Sequence, residues 1–355
     1  MMAVWQIGFK ASVIIITIYL LSQSTEAFAP IIISFISAFI LHPVARALSK
    51  VRIYPSKRRL GMTGGILCSF IIAAIIGFFL ICILLTPLIE EFSKLYKNIP
   101  HILTGIYLLL VEFENNVLLP LAHSGLYQQQ SDQLITVLQQ AITSSLSFSF
   151  NVLMNIANVS VQFISRMIGL IVVPVLTFYF IKDWRYIIEA FLTLFTKSHR
   201  IKVRLIINEM GRVISDFLRG QFLLCLIISI CMFTGLSVLK IDYPLVLALF
   251  AGIAEAIPVV GPVLSSVPVI ILGLIASPAL GVKVAIFCFF LQQIENHIIV
   301  PKVMGGSINL HPVSVIISIL IAGQFLGILG MIAALPTIAL VRVLMKHFWI
   351  TEERI

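Results

Sequence analysis

Residues 61–87 form a run of 27 without a single charge. As a helix that run rises about 40 Å, more than the roughly 30 Å of hydrocarbon in a bilayer. Seven further apolar stretches fall near 11–25, 27–45, 151–181, 217–239, 244–277, 279–300 and 312–341. Across 355 residues, 60% are apolar and only 11% charged, where soluble domains run at about 25% charged. Such a chain cannot cover a soluble surface. The composition excludes a soluble enzyme, a disulfide scaffold, a disordered chain and a nucleic-acid-binding module. The expected fold is all-α, a polytopic membrane helix bundle with about eight hydrophobic segments and the lipid bilayer as its solvent.

Loop charges predict an orientation, because basic residues collect on the cytoplasmic side. Residues 42–61 carry Arg46, Lys50, Arg52, Lys57, Arg58 and Arg59 with no acid. Residues 182–219 carry eight Lys or Arg against four acids, and the tail holds Arg342, Lys346 and Arg354. Residues 87–150 carry only Lys94 and Lys97 against five acids. The first three groups are expected inside and 87–150 outside, in an inner (plasma) membrane, with both termini cytoplasmic. The net charge of +9 then needs no nucleic acid.

This divides the chain into three helices over 1–87, an outer amphipathic helical segment over 88–150, and a fourth span over 151–181. A cytoplasmic amphipathic segment over 182–216 follows, then a transport core over 217–345 and a tail over 346–355. Lys10, the apolar run 13–21 and Ala27-Phe28-Ala29 imitate a cleavable leader. Pro30 and the apolar run behind it favour a retained span, with Pro30 expected in the first turn of the second helix. In 196–219, Ile201, Leu205, Ile206 and Met210 share a face, as in a helix lying on anionic lipid. Glu26, Asp242, Trp5, Trp184 and Trp349 read as interface anchors, and Arg166 as a snorkelling residue. The five cysteines sit in apolar runs without CxxC spacing, so no metal and no disulfide is indicated, and no cofactor is expected.

The region after Tyr243 differs. Up to Val341 it has only Glu255, Lys283, Glu295 and Lys302 as formal charges, yet eight prolines. Broken backbone survives at membrane depth only where protein or water satisfies it. The break at 256–262, with Pro258, Gly261 and Pro262, splits 244–277 into halves of about 20 Å. Gly323, Gly327 and Gly330 interrupt 312–341 similarly. Pro244 to Pro268 and Pro312 to Pro336 both span 24 residues, each second proline following two small residues and an apolar one. Paired interruptions of this kind point to a transporter site. Whether these stretches cross or re-enter, loop charge does not decide.

Glu255 precedes the first break, and an unpaired carboxylate in hydrocarbon costs several kcal/mol. It is a candidate path residue or a structural plug bonded to freed backbone. Gln292, Gln293, Glu295, Asn296 and His297 form a second polar cluster. At α-helical spacing Gln292, Glu295 and Asn296 share one face, with Gln293 and His297 on the next. The cluster is a substrate or ion path, or interhelical glue. Pro301, Pro312, Gly323, Gly327 and Gly330 are the expected hinges. No HExxH, GxSxG, P-loop or glycine-rich nucleotide fingerprint occurs, so an enzyme is not expected.

The chain resembles the autoinducer-2 exporter family of bacterial multi-pass transporters. The resemblance runs from Pro30 and Pro43 through Phe178-Tyr179-Phe180-Ile181-Lys182-Asp183 and Arg219-Gly220-Gln221 to Ile257-Pro258-x-x-Gly261-Pro262. It continues through Gln293-x-Glu295-Asn296, Pro301, His311-Pro312, Gly327-x-x-Gly330 and Pro336. It implies an inner-membrane permease exporting a small polar solute, such as the quorum-sensing furanone precursor, by alternating access. For other members it implies sodium or lithium exchange against protons. A small-molecule or ion substrate is the expected partner, and a homo-oligomer is left open. A non-transporting scaffold, docking through 88–150, is the reading from another class.

Overall fold

The computed structural model describes residues 25–51, 60–113, 116, 167–304 and 311–347. The expected first span, Arg52, residues 57–59, residues 117–166 and residues 348–355 lie outside these, and with them Trp5, Arg166 and Trp349. Every described element is a helix. Five are long and apolar enough to cross a membrane: Pro30–Leu48, Gly61–Leu109, Lys197–Val238, Pro278–Met304 and Gly327–Met345. Val172–Lys182, Pro244–Ala254, Val260–Ala276 and Val313–Phe325 are shorter apolar helices. The described chain forms two compact units. One holds 25–75, 167–219 and 311–347, and the other 76–116 and 220–304.

The first unit begins with α1 (Thr25–Leu48), which runs on either side of Pro30 instead of starting there. Ser34 Oγ bonds back to the Pro30 carbonyl, and Thr177 Oγ1 reaches the Ser34 carbonyl at 3.2 Å. Thus α1 is stitched to α3 (Met167–Lys182) through polar groups in an apolar seam. The first residues of α2 (Gly61–Phe113) join this core through Met62 and Ile66, beside Ala38, Ala45 and Ile181. Gly65 is required there, because a Cβ would run into the Ala45 carbonyl.

The sequence pattern suggested that α2 stops near Pro87. It does not. The helix continues for 53 residues, about 80 Å, through Pro87 and Pro100. Proline interrupts a membrane helix less than a soluble one, since neighbouring helices satisfy the freed carbonyls. The 88–113 stretch is therefore a continuation of the preceding apolar helix, not a segment separate from it. Leu95, Ile102 and Ile106 bury against Tyr243, Val246 and Phe250.

Helix α4 (Trp184–Leu192) leads to α5 (Lys197–Val238), which joins the amphipathic segment to the next span without a break. Its buried face near the start is Ile206, Ile214, Phe217 and Leu218. Ile201 and Leu205 are exposed, at 74% and 60%. Arg204 pairs with Glu189 at 2.8 Å, and Lys346 with Glu209 at 3.0 Å. This stretch of α5 is thus packed on protein along a different face from the one spacing suggested.

In the second unit, Leu224, Ile228, Met232 and Leu236 recur every four residues along α5 and form one wall of the core. Helices α6 (Pro244–Ala254), α7 (Val260–Ala276) and α8 (Pro278–Ile294) supply the rest through Leu247, Ala251, Val269, Val284, Cys288 and Leu291. Proline opens both α6 and α8, where its missing N–H is harmless. Ser277 caps α8, accepting from Leu280 N at 3.2 Å. A π turn (Glu295–Ile299) and α9 (Val300–Met304) complete this unit. The last helix, α10 (Pro312–Met345), belongs to the first unit and is kinked at Gly327.

Candidate functional site

Between α6 and α7 the chain turns at Val259, where φ is +69° and ψ −48°. Val260 N donates to the Pro258 carbonyl at 2.8 Å, closing a three-residue γ-turn. A β-branched residue at positive φ is strained by about 1–3 kcal/mol. Gly261 follows, and a Cβ there would overlap the Ala254 carbonyl. The bend is therefore tight because Gly261 lacks a side chain. Pro262 sits in the first turn of α7, where proline is tolerated. The interruption expected at 256–262 is present, and its two halves are 11 and 17 residues long.

Glu255 caps the end of α6 and is 2% exposed. Glu295, 5% exposed, begins the π turn after α8. Both carboxylates thus sit at helix discontinuities, and both line the same small cavity. They share a cavity of about 20 Å³ with Pro262, Ser265, Ser266 and Gln292. Ile228, Met232, Cys288 and Leu291 form its apolar wall. That volume holds one water-sized guest.

Gln221 on α5 was not singled out by sequence, apart from its place in the Arg219-Gly220-Gln221 string. It is 7% exposed, and its Nε2 donates to the Glu255 main-chain oxygen. Among the described residues, Gln221 Oε1 and Glu255 Oε2 are buried with no hydrogen-bond partner. Ser265 and Ser266 donate to the Pro262 and Val263 carbonyls, at 3.2 and 2.9 Å, leaving hydroxyl lone pairs free to accept. The cavity lining contains no Lys, Arg or His. Two buried carboxylates so close repel each other unless something positive lies between them. A proton or one small cation meets that need, and the serine and glutamine oxygens are suitable additional ligands for the cation.

The remaining polar cluster divides. Gln292 and Glu295 face the cavity, whereas Gln293, Asn296 and His297 are exposed. The π turn accounts for Asn296, because its wider coil moves successive side chains away from α-helical register. Pro301 accounts for the turn, since its ring clashes with the carbonyl four residues back and lacks an N–H to give it. Val300 N bonds to the Glu295 carbonyl, five residues back, and His297 Nδ1 pairs with the Gln293 carbonyl at 2.9 Å.

Of the expected hinges, Gly327 alone has non-helical backbone, φ +58° and ψ −139°, a region open essentially to glycine. Gly323 lies beside the Met331 side chain, and Gly330 is buried within α10. Pro312 opens α10, with His311 Nδ1 accepting from Val313 N at 3.3 Å.

The described residues define a polytopic helical membrane protein with a buried carboxyl pair at a broken helix. The chain belongs to the AI-2E family of transporters, whose profile matches residues 10–349. It is 28% identical over 321 residues to the provisionally named transport protein YueF of Bacillus subtilis, covering 89% of this chain and 82% of that protein. It is 34% identical over 176 residues to another provisionally named transport protein of that organism, YrrI, covering half of each. A sodium-lithium/proton antiporter of Halobacillus andaensis is 26% identical over 308 residues, 85% of this chain and 84% of that protein. Membership in a transport family sets the scaffold reading aside.

Proposed function

We propose that the chain exchanges a monovalent cation for protons across the inner membrane, with Glu255 and Glu295 as the shared site. The observation that carries this reading is the buried carboxyl pair in a cavity sized for one small guest, without a basic side chain in its lining. Proton and cation then compete for the same charge, which is the chemistry of exchange. The similarity to a named sodium-lithium/proton antiporter supports it. A second reading is export of a small polar solute coupled through the same pair, with the break at Val259 opening a wider path. The strained turn there favours a moving joint.

The orientation belongs to this reading, with 42–61, 182–219 and both termini cytoplasmic. So does re-entrance of 244–277 and 312–341. Helices α6 and α7 rise about 16 and 25 Å, and neither spans roughly 30 Å of hydrocarbon. The positive-φ residues Val259 and Gly327 lie at the same distance behind Pro244 and Pro312, which supports paired hairpins.

Proteoliposomes holding a pH-sensitive dye test the proposal. Sodium or lithium added to wild-type vesicles with an acidic lumen should raise the internal pH. Glu255→Gln keeps the shape but cannot exchange a proton, and should abolish the response. An unchanged response in Glu255→Gln refutes the site. A wild-type protein that moves the furanone precursor but ignores both cations favours the second reading.

A further inference from the structure

We propose that the first unit holds a site for an anionic phospholipid, separate from the carboxyl pair and independent of what is transported. A cavity of about 440 Å³ opens between α1, α3, α4 and α5, far larger than the one at Glu255. Its floor is aromatic. Phe35, Phe39, Phe180 and Trp184 meet at tilted or edge-on angles with ring centroids 4.7–6.4 Å apart. Its rim is cationic, with Arg46 from α1 and Arg212 and Arg219 from α5, all exposed. Arg46 and Arg219 are both close to His42, so charge from two helices converges on one side of the cavity.

Asn208, Arg212, Ser215 and Arg219 follow one another along one face of α5 at intervals of three and four residues. Asp216 is the one acid in the lining, against three guanidinium groups. The site therefore retains a net positive charge for a ligand to neutralise. Gly211 makes the room: a Cβ there would come within 3.9 Å of the Trp184 ring, so larger side chains would project into the cavity.

A free phosphate would fit the rim but leave the aromatic floor unused. A lipid uses both. The floor rings belong to, or directly follow, the apolar helices α1 and α3, and a tryptophan beside cationic groups marks the level of the headgroups. The headgroup phosphate would sit among Arg46, Arg212 and Arg219, and the first part of an acyl chain against Phe35, Phe39 and Trp184. Basic pockets between membrane helices bind such headgroups.

The test uses the full chain with Trp5 and Trp349 changed to Phe, so that Trp184 alone reports. In phosphatidylcholine nanodiscs carrying a small fraction of brominated phosphatidylglycerol, Trp184 fluorescence should be quenched more than by the same fraction of brominated phosphatidylcholine. Arg212→Gln should lower that preference about fivefold, and so should Arg46→Gln. Gly211→Leu keeps every charge but fills the cavity, and should remove the preference with the protein still monodisperse. Equal quenching by the two lipids would overturn the proposal. So would quenching by the anionic lipid that Gly211→Leu leaves unchanged. Displacement of the anionic lipid by millimolar inorganic phosphate would overturn it too, in favour of a soluble-anion site.

Discussion

Helix α6 begins with orphan backbone donors that no neighbouring residue in the chain satisfies, because Tyr243 at its N-cap makes no side-chain cap bond. Glu91, more than 150 residues earlier on α2, supplies the acceptor instead. Its Oε2 receives Leu245 N at 2.9 Å and Val246 N at 3.0 Å. Hydrogen bonds to a charged group contribute about 1.5–3 kcal/mol each. Glu91 is only half-buried, and water can reach part of the site once the side chain is removed, so we take the low end for both together. Glu91→Ala should then cost about 2–3 kcal/mol at the start of α6, or roughly a 30- to 150-fold rise in local opening. Glu91→Gln keeps an acceptor but loses the charge, and should cost about half as much. Hydrogen exchange at residues 245–247, measured by mass spectrometry in nanodiscs, reads this directly. Amides near Val284, in the core but away from the cap, serve as the control. Exchange at 245–247 that is the same in Glu91→Ala as in wild type would refute the argument.

Gly261→Ala forces a Cβ against the Ala254 carbonyl and should destabilise the protein by about 1–3 kcal/mol in detergent melts. Gly77→Ala, which meets nothing within 4 Å, should be neutral or mildly stabilising, and equal melting of the two variants would refute the tight bend. Val259→Gly removes the γ-turn strain at some entropic cost and should stabilise by about 1 kcal/mol; no change means the turn is not strained. In a cysteine-free background, Ser277→Cys should react with an impermeant thiol reagent from outside, whereas labelling only from inside would mean that 244–277 crosses fully. Glu295→Gln should weaken cation-dependent flux as Glu255→Gln does, and full activity would reduce Glu295 to a structural role.

The break before α7 was legible because Pro258, Gly261 and Pro262 act locally, each restricting or freeing the backbone where it stands. Glu255 and Glu295 were legible for another local reason: a carboxylate within an apolar run needs an explanation wherever the chain goes. Gln221 gave no such signal. Its partner is a main-chain oxygen 34 residues on, and only the packing of α5 against α6 brings them together. The same holds for Glu91. Asn296 was misplaced because α-helical spacing was assumed through a segment that Pro301 and its packing widen into a π turn. The end of the uncharged run at Pro87 misled in the opposite sense. Proline removes one hydrogen bond, but whether the helix ends depends on contacts such as Leu95 and Ile102 with α6, which no local pattern displays.

The two interruptions are alike in position and unlike in cost. Val259 lies 15 residues after Pro244, and Gly327 lies 15 after Pro312, with φ of +69° and +58°. Glycine adopts such an angle freely, whereas valine does so only under constraint. The strained copy is the one beside Glu255. A bound ion shifts a conformational equilibrium only by its difference in affinity between the two states. A strain of about 1–3 kcal/mol corresponds to a factor of roughly 5 to 150 in population, within what one proton or cation between two carboxylates can supply. On this argument the first break is where occupancy of the carboxyl pair would be converted into movement, whereas glycine at 327 stores no comparable strain. Val259→Gly, which leaves glycine at both breaks, would then uncouple flux from cation occupancy, and adding Gly327→Val would not restore the coupling lost at 259.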